Sequence, residues 1–308
     1  MSPMKTQCPL PHLILVPIFL ALLTATQAGE ARGKRPRLTT VKIRTEEQVF
    51  KQTPQGELKV IIHYPQDWKP SDKRPAMLFF FGGAWKHGSP VQFEPHANYF
   101  AARGIVCARA EYRISSRHKT TPEKCIEDAK SAMRWLRSHA GDLGVDPDKI
   151  IASGGSAGGH LAAATAMVPR FESTEDEASI SCKPNALVLF NPALNFPEFG
   201  VKDADGKPLK DFWPTPFLAK DAPPSIHFFG SEDRMLFQGR EYLAKAKELG
   251  CRADLYVAYG QSHGFFNRSP WTEVTARQAD IFLATLDYLK GDPGIELQPG
   301  APALTREQ

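Results

Sequence analysis

Short continuous apolar runs, rather than alternating ones, recur along this chain and are separated by stretches with helical spacing. Ala76 to Phe81 (AMLFFF) is apolar throughout, as expected of a central strand covered on both faces. Leu58 to Tyr64, Ile105 to Tyr112, residues 149–152, Asn185 to Phe190, Ser225 to Phe229 and Arg252 to Ala258 read as further strands. Between them, Ile126, Ala129, Met133, Leu136 and Ala140 recur on one helical face, in a stretch opened by Thr121-Pro122 with proline at the first helical position. Leu161 to Met167, Gln238 to Leu249 and Trp271 to Leu289 are further helix candidates. Strands alternating with helices predict an α/β fold, a mostly parallel twisted sheet with helices on both faces. The segment Asn191 to Pro224 breaks the rhythm. It is long, proline-rich and aromatic, with Phe196, Phe199, Phe212, Trp213 and Phe217, and it precedes the strand at Ser225. It reads either as a lid-like insertion walling a pocket or as an insertion that packs its aromatics on the body, with equal weight.

Composition narrows the class. With 308 residues, 42% hydrophobic and 23% charged, the chain has material for one large core, and a net charge of +4 is too mild to suggest nucleic acid as a partner. The N-terminus reads as an address. Lys5 precedes the apolar run Leu13 to Leu23, interrupted by Pro17, and small residues follow at Thr24 to Ala28. This is the pattern of a signal peptide over 1–28, too short for a comfortable membrane span, and it implies an exported protein. Residues 29–57, including the basic Ala31 to Arg37, read as a leader, 58–290 as the catalytic domain and 291–308 as a tail. Cys107, Cys125, Cys182 and Cys251 would remain after cleavage. They show no C-x-x-C spacing, and outside the cytosol they could pair in three ways.

Candidate chemistry centres on Gly154-Gly155-Ser156-Ala157-Gly158, between an apolar strand and a helix-like stretch. In that context G-x-S-x-G is a nucleophile elbow, whose strained turn lifts the serine hydroxyl above the sheet edge. A bare pentapeptide of this kind arises by chance in roughly one chain of this length in ten, so the rest of the chain must decide. A serine needs a base, and the base needs an orienting carboxylate, in the order Ser, Asp or Glu, His. Of the later histidines, His160 lies in the elbow helix and His227 in a strand run, whereas His263 stands in a Gly-flanked loop after the last strand. For the carboxylate, Asp233 follows the strand ending at Phe229. Glu232 is its nearest competitor and Asp254 a weaker one. Gly82-Gly83-Ala84-Trp85 follows the strand ending at Phe81, and backbone N–H groups of Gly83 or Ala84, together with Ala157, could receive an oxyanion.

Taken with Glu111-Tyr112-Arg113 and Asp146-Pro147-Asp148-Lys149-Ile150, these motifs occur in the order of a known group. Over residues 58–290 the chain resembles α/β-hydrolase esterases and lipases related to hormone-sensitive lipase. It is most similar to secreted bacterial carboxylesterases of the feruloyl and acetyl-xylan esterase type. The resemblance implies a cofactor-free, metal-free serine ester hydrolase with Ser156, Asp233 and His263 as triad. Its substrate would be a small-molecule or polysaccharide-borne ester, in a pocket lined by Trp85, Phe196, Phe212 and Trp213. A peptidase or amidase of the same fold, or a module that only binds, are the alternatives. Two departures stand out: Phe81 and Ala84 occupy the histidine and third-glycine positions of the family's usual His-Gly-Gly-Gly-Trp. If Ala84 needs φ > 0, alanine there costs about 1 kcal/mol. The two-helix N-terminal cap of many relatives is not evident, which implies a more open site.

Overall fold

The computed structural model describes residues 38–308. The signal-peptide reading of 1–28 and the basic stretch Ala31 to Arg37 lie outside them. Among the described residues nine strands form one sheet: β1 Arg44–Thr53, β2 Gly56–Tyr64, β3 Arg74–Phe80, β4 Val106–Ala110, β5 Val145–Gly155, β6 Ala186–Phe190, β7 Ser225–Gly230, β8 Ala253–Ala258 and β9 Thr305–Glu307. Their order is β1-β2-β4-β3-β5-β6-β7-β8-β9, parallel from β4 through β8 and antiparallel at both edges. The helices are α1 Glu94–Ala102, α2 Ser115–His118, α3 Pro122–Ser138, α4 Ala157–Met167, α5 Leu236–Leu249 and α6 Trp271–Ala284. Among the described residues, no helix is long and apolar enough to cross a membrane.

The unbroken apolar run in β3 is explained by burial on both faces. Ala76, Leu78 and Phe80 join one core with α3 and α4, while Met77 and Phe79 join the opposite core with α1 and α6. A strand so placed has no face on which a polar side chain could be solvated. The predicted stripe is buried at every position, with Ala140 just past the end of α3, and two charged residues of that helix, Asp128 and Lys130, are buried with it. They are tolerated because each is paired: Asp128 with Arg113 at 2.8 Å and Lys51 at 2.9 Å, Lys130 with Glu172 at 2.5 Å and two backbone carbonyls.

Both expected boundaries of the domain move outward. The supposed leader 29–57 contains β1, which pairs with β2 from Arg44↔Tyr64 to Thr53↔Gly56. Its alternation of exposed and half-buried positions is that of an edge strand, too polar to register as an apolar run. The supposed tail 291–308 contains β9, which caps the far edge against β8, and Glu307 pairs with Arg240 at 2.6 Å. The last helix ends at Ala284, not Leu289, because the chain turns to bury Leu289 and Ile295. All four described cysteines are free thiols.

Candidate active site

Five residues at the heart of the site follow the carboxyl ends of parallel strands: Gly82 after β3, Ser156 after β5, Asn191 after β6, Asp233 after β7 and His263 after β8. The elbow is a tight turn: Ser156 has φ 53° and ψ −117°, and α4 begins at the next residue, with His160 in its first turn. Glycine is required on either side because backbone meets backbone. A Cβ on Gly158 would lie 2.0 Å from the Phe80 carbonyl oxygen, and one on Gly154 would lie 2.4 Å from Gly158. The strain at Ser156, of order 1–3 kcal/mol, is held in place by its N–H donating to Phe190 O at 2.9 Å and its carbonyl accepting from His160 and Ala193 N–H.

Three predicted residues converge. His263 Nε2 is 2.9 Å from Ser156 Oγ, and His263 Nδ1 is 2.7 Å from Asp233 Oδ2. The Asp233 side chain is fully buried, and its other oxygen accepts from Met235 N–H at 2.9 Å, so the carboxylate is aimed by its own turn. The loop carrying His263 is clamped to that turn: Glu232 N–H donates to Gln261 O at 2.9 Å, and a Cβ on Gly230 would come within 2.0 Å of the same oxygen. The competing carboxylates are elsewhere. Asp254 pairs with Arg252 and Arg306, and Glu232 lines the cavity without bonding His263.

The other two histidines are structural. His160 is fully buried, donates through Nε2 to Phe212 O at 3.0 Å and accepts at Nδ1 from Trp85 Nε1–H at 3.3 Å. Burial holds it neutral, with its pKa lowered to about 3. His227 is likewise buried, bonded to Ser225 Oγ, and lowered to about 3 by burial. His160 therefore binds together the elbow helix, the loop after β3 and the segment 191–224.

A cavity of ≈ 810 Å³ opens above Ser156. Gly83, Ala84 and Ala157 all line it, as expected of an oxyanion pocket. Ala84 has φ 53° and Trp85 φ 59°, so the third-glycine position does demand the left-handed region and alanine carries the strain. Phe81 stacks on Tyr112, whose hydroxyl donates to Phe81 O at 2.7 Å. Of the expected pocket aromatics, Trp85, Phe196 and Trp213 line the cavity, joined by Phe199. Phe212 does not: it is wholly buried behind them, stacked on His160 with ring centroids 4.3 Å apart. Phe212 and Trp213 meet edge to face at 5.2 Å and both touch Trp85 and His160, but only Trp213 reaches the opening. The segment 191–224 thus both walls the cavity and packs on the body.

Sequence reasoning missed Asn191. It is fully buried, its Oδ1 accepts from Gly264 N–H at 3.1 Å, and its Nδ2 lies 3.3 Å from His263 Nε2. The one signal available was an asparagine at the end of an apolar strand, where the sheet's carboxyl edge was already suspect.

The family model BD-FAE matches residues 62–199, which include the elbow but stop short of Asp233 and His263. The probable carboxylic ester hydrolase LipM of Mycobacterium tuberculosis is 28% identical over 207 residues, covering 59% of this chain and 47% of that protein. Esterase LipC of the same organism is 27% identical over 220 residues, covering 64% of this chain and 54% of that protein. The chain thus spans about half the length of the mycobacterial relatives it matches. The thermophilic esterase 2 of Thermogutta terrifontis, in its native form, superposes with a TM-score of 0.75 at 42% identity, covering 80% of this chain and 93% of that one. The same enzyme solved phosphorylated by paraoxon gives 0.76 at 41% identity, covering 80% of this chain and 96% of that one. Likeness of that extent, on a sheet of this order with a serine elbow at its carboxyl edge, makes the chain a member of the α/β-hydrolase-fold esterases.

Proposed function

We propose that the chain is a serine carboxylesterase working through an acyl-enzyme. The observation that carries this is the unbroken path Ser156 Oγ–His263–Asp233, with bonds of 2.9 and 2.7 Å, at the floor of the cavity. His263 Nε2 takes the proton as Ser156 Oγ attacks the ester carbonyl, and the carbonyl oxygen becomes an oxyanion facing the N–H groups of Gly83, Ala84 and Ala157. Asp233 keeps the remaining imidazole proton on Nδ1 and supports the positive ring. His263 then gives its proton to the departing alkoxide, and the alcohol leaves. A water, deprotonated by His263, attacks the acyl carbonyl; the bond to Ser156 Oγ breaks, the carboxylic acid leaves, and His263 returns the proton to Oγ. Each oxyanion donor is worth about 3 kcal/mol of transition-state stabilisation. The phosphorylation of T. terrifontis esterase 2 by paraoxon supports the reading, since an activated serine hydroxyl is the group such a reagent traps.

The substrate we propose is an acyl or feruloyl ester of a carbohydrate or other small carrier, and export through residues 1–28 would bring the enzyme to it. A cavity with exposed Phe199 at its lining and exposed Phe237 beside Phe196 suits a carrier that stays largely outside. The experiment compares wild type with Ser156→Ala on p-nitrophenyl acetate, butyrate and octanoate, methyl ferulate and acetylated xylan. Product release by wild type that falls by several orders of magnitude in the variant is expected. A folded wild type inert on all of them overturns the reading. N-terminal sequencing of exported protein is expected to begin after Ala28.

A further inference from the structure

The loop after β3 and the loop carrying His263 belong to chain segments almost two hundred residues apart, yet they are joined by a chain of amides. Gly82 N–H donates to Gln92 Oε1 at 2.7 Å. Gln92 Nε2 donates to Asn267 Oδ1 at 3.1 Å, and Asn267 Nδ2 donates to Gly264 O at 3.0 Å. Gly264 N–H in turn donates to Asn191 Oδ1 at 3.1 Å, which aims Asn191 Nδ2 at His263 Nε2. The series has one consistent direction. With the Gln92 oxygen committed to Gly82, its NH₂ must face an acceptor, and Asn267 supplies one only by turning its own NH₂ to Gly264. Flipping either amide would oppose oxygen to oxygen or N–H to N–H.

Neither end of the chain is arbitrary. Gly82 is wedged against the elbow: a Cβ there would lie 2.8 Å from Gly155 O and 3.4 Å from the Ser156 Cβ. Gly264 directly follows His263. Gln92 and Asn267 also stand between two spaces, lining both the main cavity and a neighbouring one of ≈ 410 Å³. Asn267 is exposed and Gln92 half-buried, so water would replace most of the bond's contribution to folding. Its consequence lies in placement, where a displacement of an ångström costs far more in rate than in stability.

We infer that Gln92 and Asn267 are positioning residues: their amide link holds the oxyanion loop and the base loop at a fixed separation across Ser156. This rests on the serine-esterase reading above. The test measures kcat and KM on p-nitrophenyl acetate, per site titrated with paraoxon, and Tm, for Gln92→Ala, Asn267→Ala and the double variant, with Ser156→Ala alongside. Each single variant is expected to lower kcat about 10-fold with KM within about 2-fold, because the misplacement is felt in the transition state. The double variant is expected to be no worse than the poorer single one, since either change breaks the same link. Tm should move by less than about 2 °C, as expected for an exposed bond in a domain of this size. Unchanged kcat, losses that multiply in the double variant, or a fall in Tm and titratable sites with kcat per site intact would each overturn the inference. If Ser156→Ala retained activity, the serine-esterase reading itself would fall, and the positioning role with it.

Discussion

Beneath Ser156 the cavity floor is backbone packed against backbone, whereas its outer wall is side chain against side chain. On the floor, Gly82, Gly154 and Gly158 sit where no Cβ fits, and Ser156, Ala84 and Trp85 all hold positive φ. On the wall, Phe196 meets Phe199 and Phe237 at centroid separations of 6.0 Å each, Arg234 lies over Phe196 at 5.5 Å, and Phe199 and Phe237 are exposed. Contacts of the first kind admit one geometry. Contacts of the second slide and re-pack at small cost. Chemistry that depends on tenths of an ångström is placed on the first, and recognition that must suit a substrate's bulk is left to the second.

The comparison is broken most severely at the serine. Ser156→Gly is expected to lose about 10⁴- to 10⁶-fold in kcat while gaining about 1 kcal/mol of stability, because glycine accepts φ 53° without strain. Paired ester-hydrolysis and urea-unfolding measurements read the two effects, and a loss of stability would show that the turn is not strained. Gly158→Ala should destabilise by at least about 4 kcal/mol, since the new methyl has only the backbone of Phe80 and Phe81 to displace. A soluble variant with unaltered Tm would remove the case for a rigid floor.

Acid attacks the buried body of the fold at four histidines: His63 in β2, His96 in α1, His160 in α4 and His227 in β7. Burial lowers His160, His96 and His227 to about 3 and His63 to about 4, against 6.5 when exposed. The unfolded chain therefore binds more protons below about pH 6.5, and stability falls as pH drops through that range towards the folded values. At pH 5 each of the four should contribute a loss of at most about 2 kcal/mol relative to pH 7. Urea unfolding at several pH values measures the slope, and a flat response between pH 7 and 5 would contradict neutral buried rings. Ala84→Gly should add about 1 kcal/mol by relieving the left-handed alanine. Smallest of all, Phe199→Ala should shift stability by less than about 0.5 kcal/mol while changing the ratio of octanoate to acetate turnover several-fold. Equal selectivity in that variant would take Phe199 out of the substrate path.

Much of the molecule was written locally. Runs such as Ala76 to Phe81 and the α3 stripe declare central strands and a core-facing helix because burial on two faces or one leaves that period in the sequence. Gly154-x-Ser156-x-Gly158 declares its turn because only glycine fits where strand and helix backbones touch. The order Ser156, Asp233, His263, each after a strand, made a triad legible before any distance was known. What remained was decided by contacts between distant segments. β1 and β9 are polar edge strands, recognisable only through the partners that complete their hydrogen bonds. Phe212 turns inward and Trp213 to the cavity because His160 stacks on the first, and no local pattern announces it. Asn191, Gln92 and Asn267 look like ordinary polar residues until the fold brings their amides into line. Hydrogen-bond direction and side-chain facing are properties of pairs, and the pairs exist only once the sheet has closed.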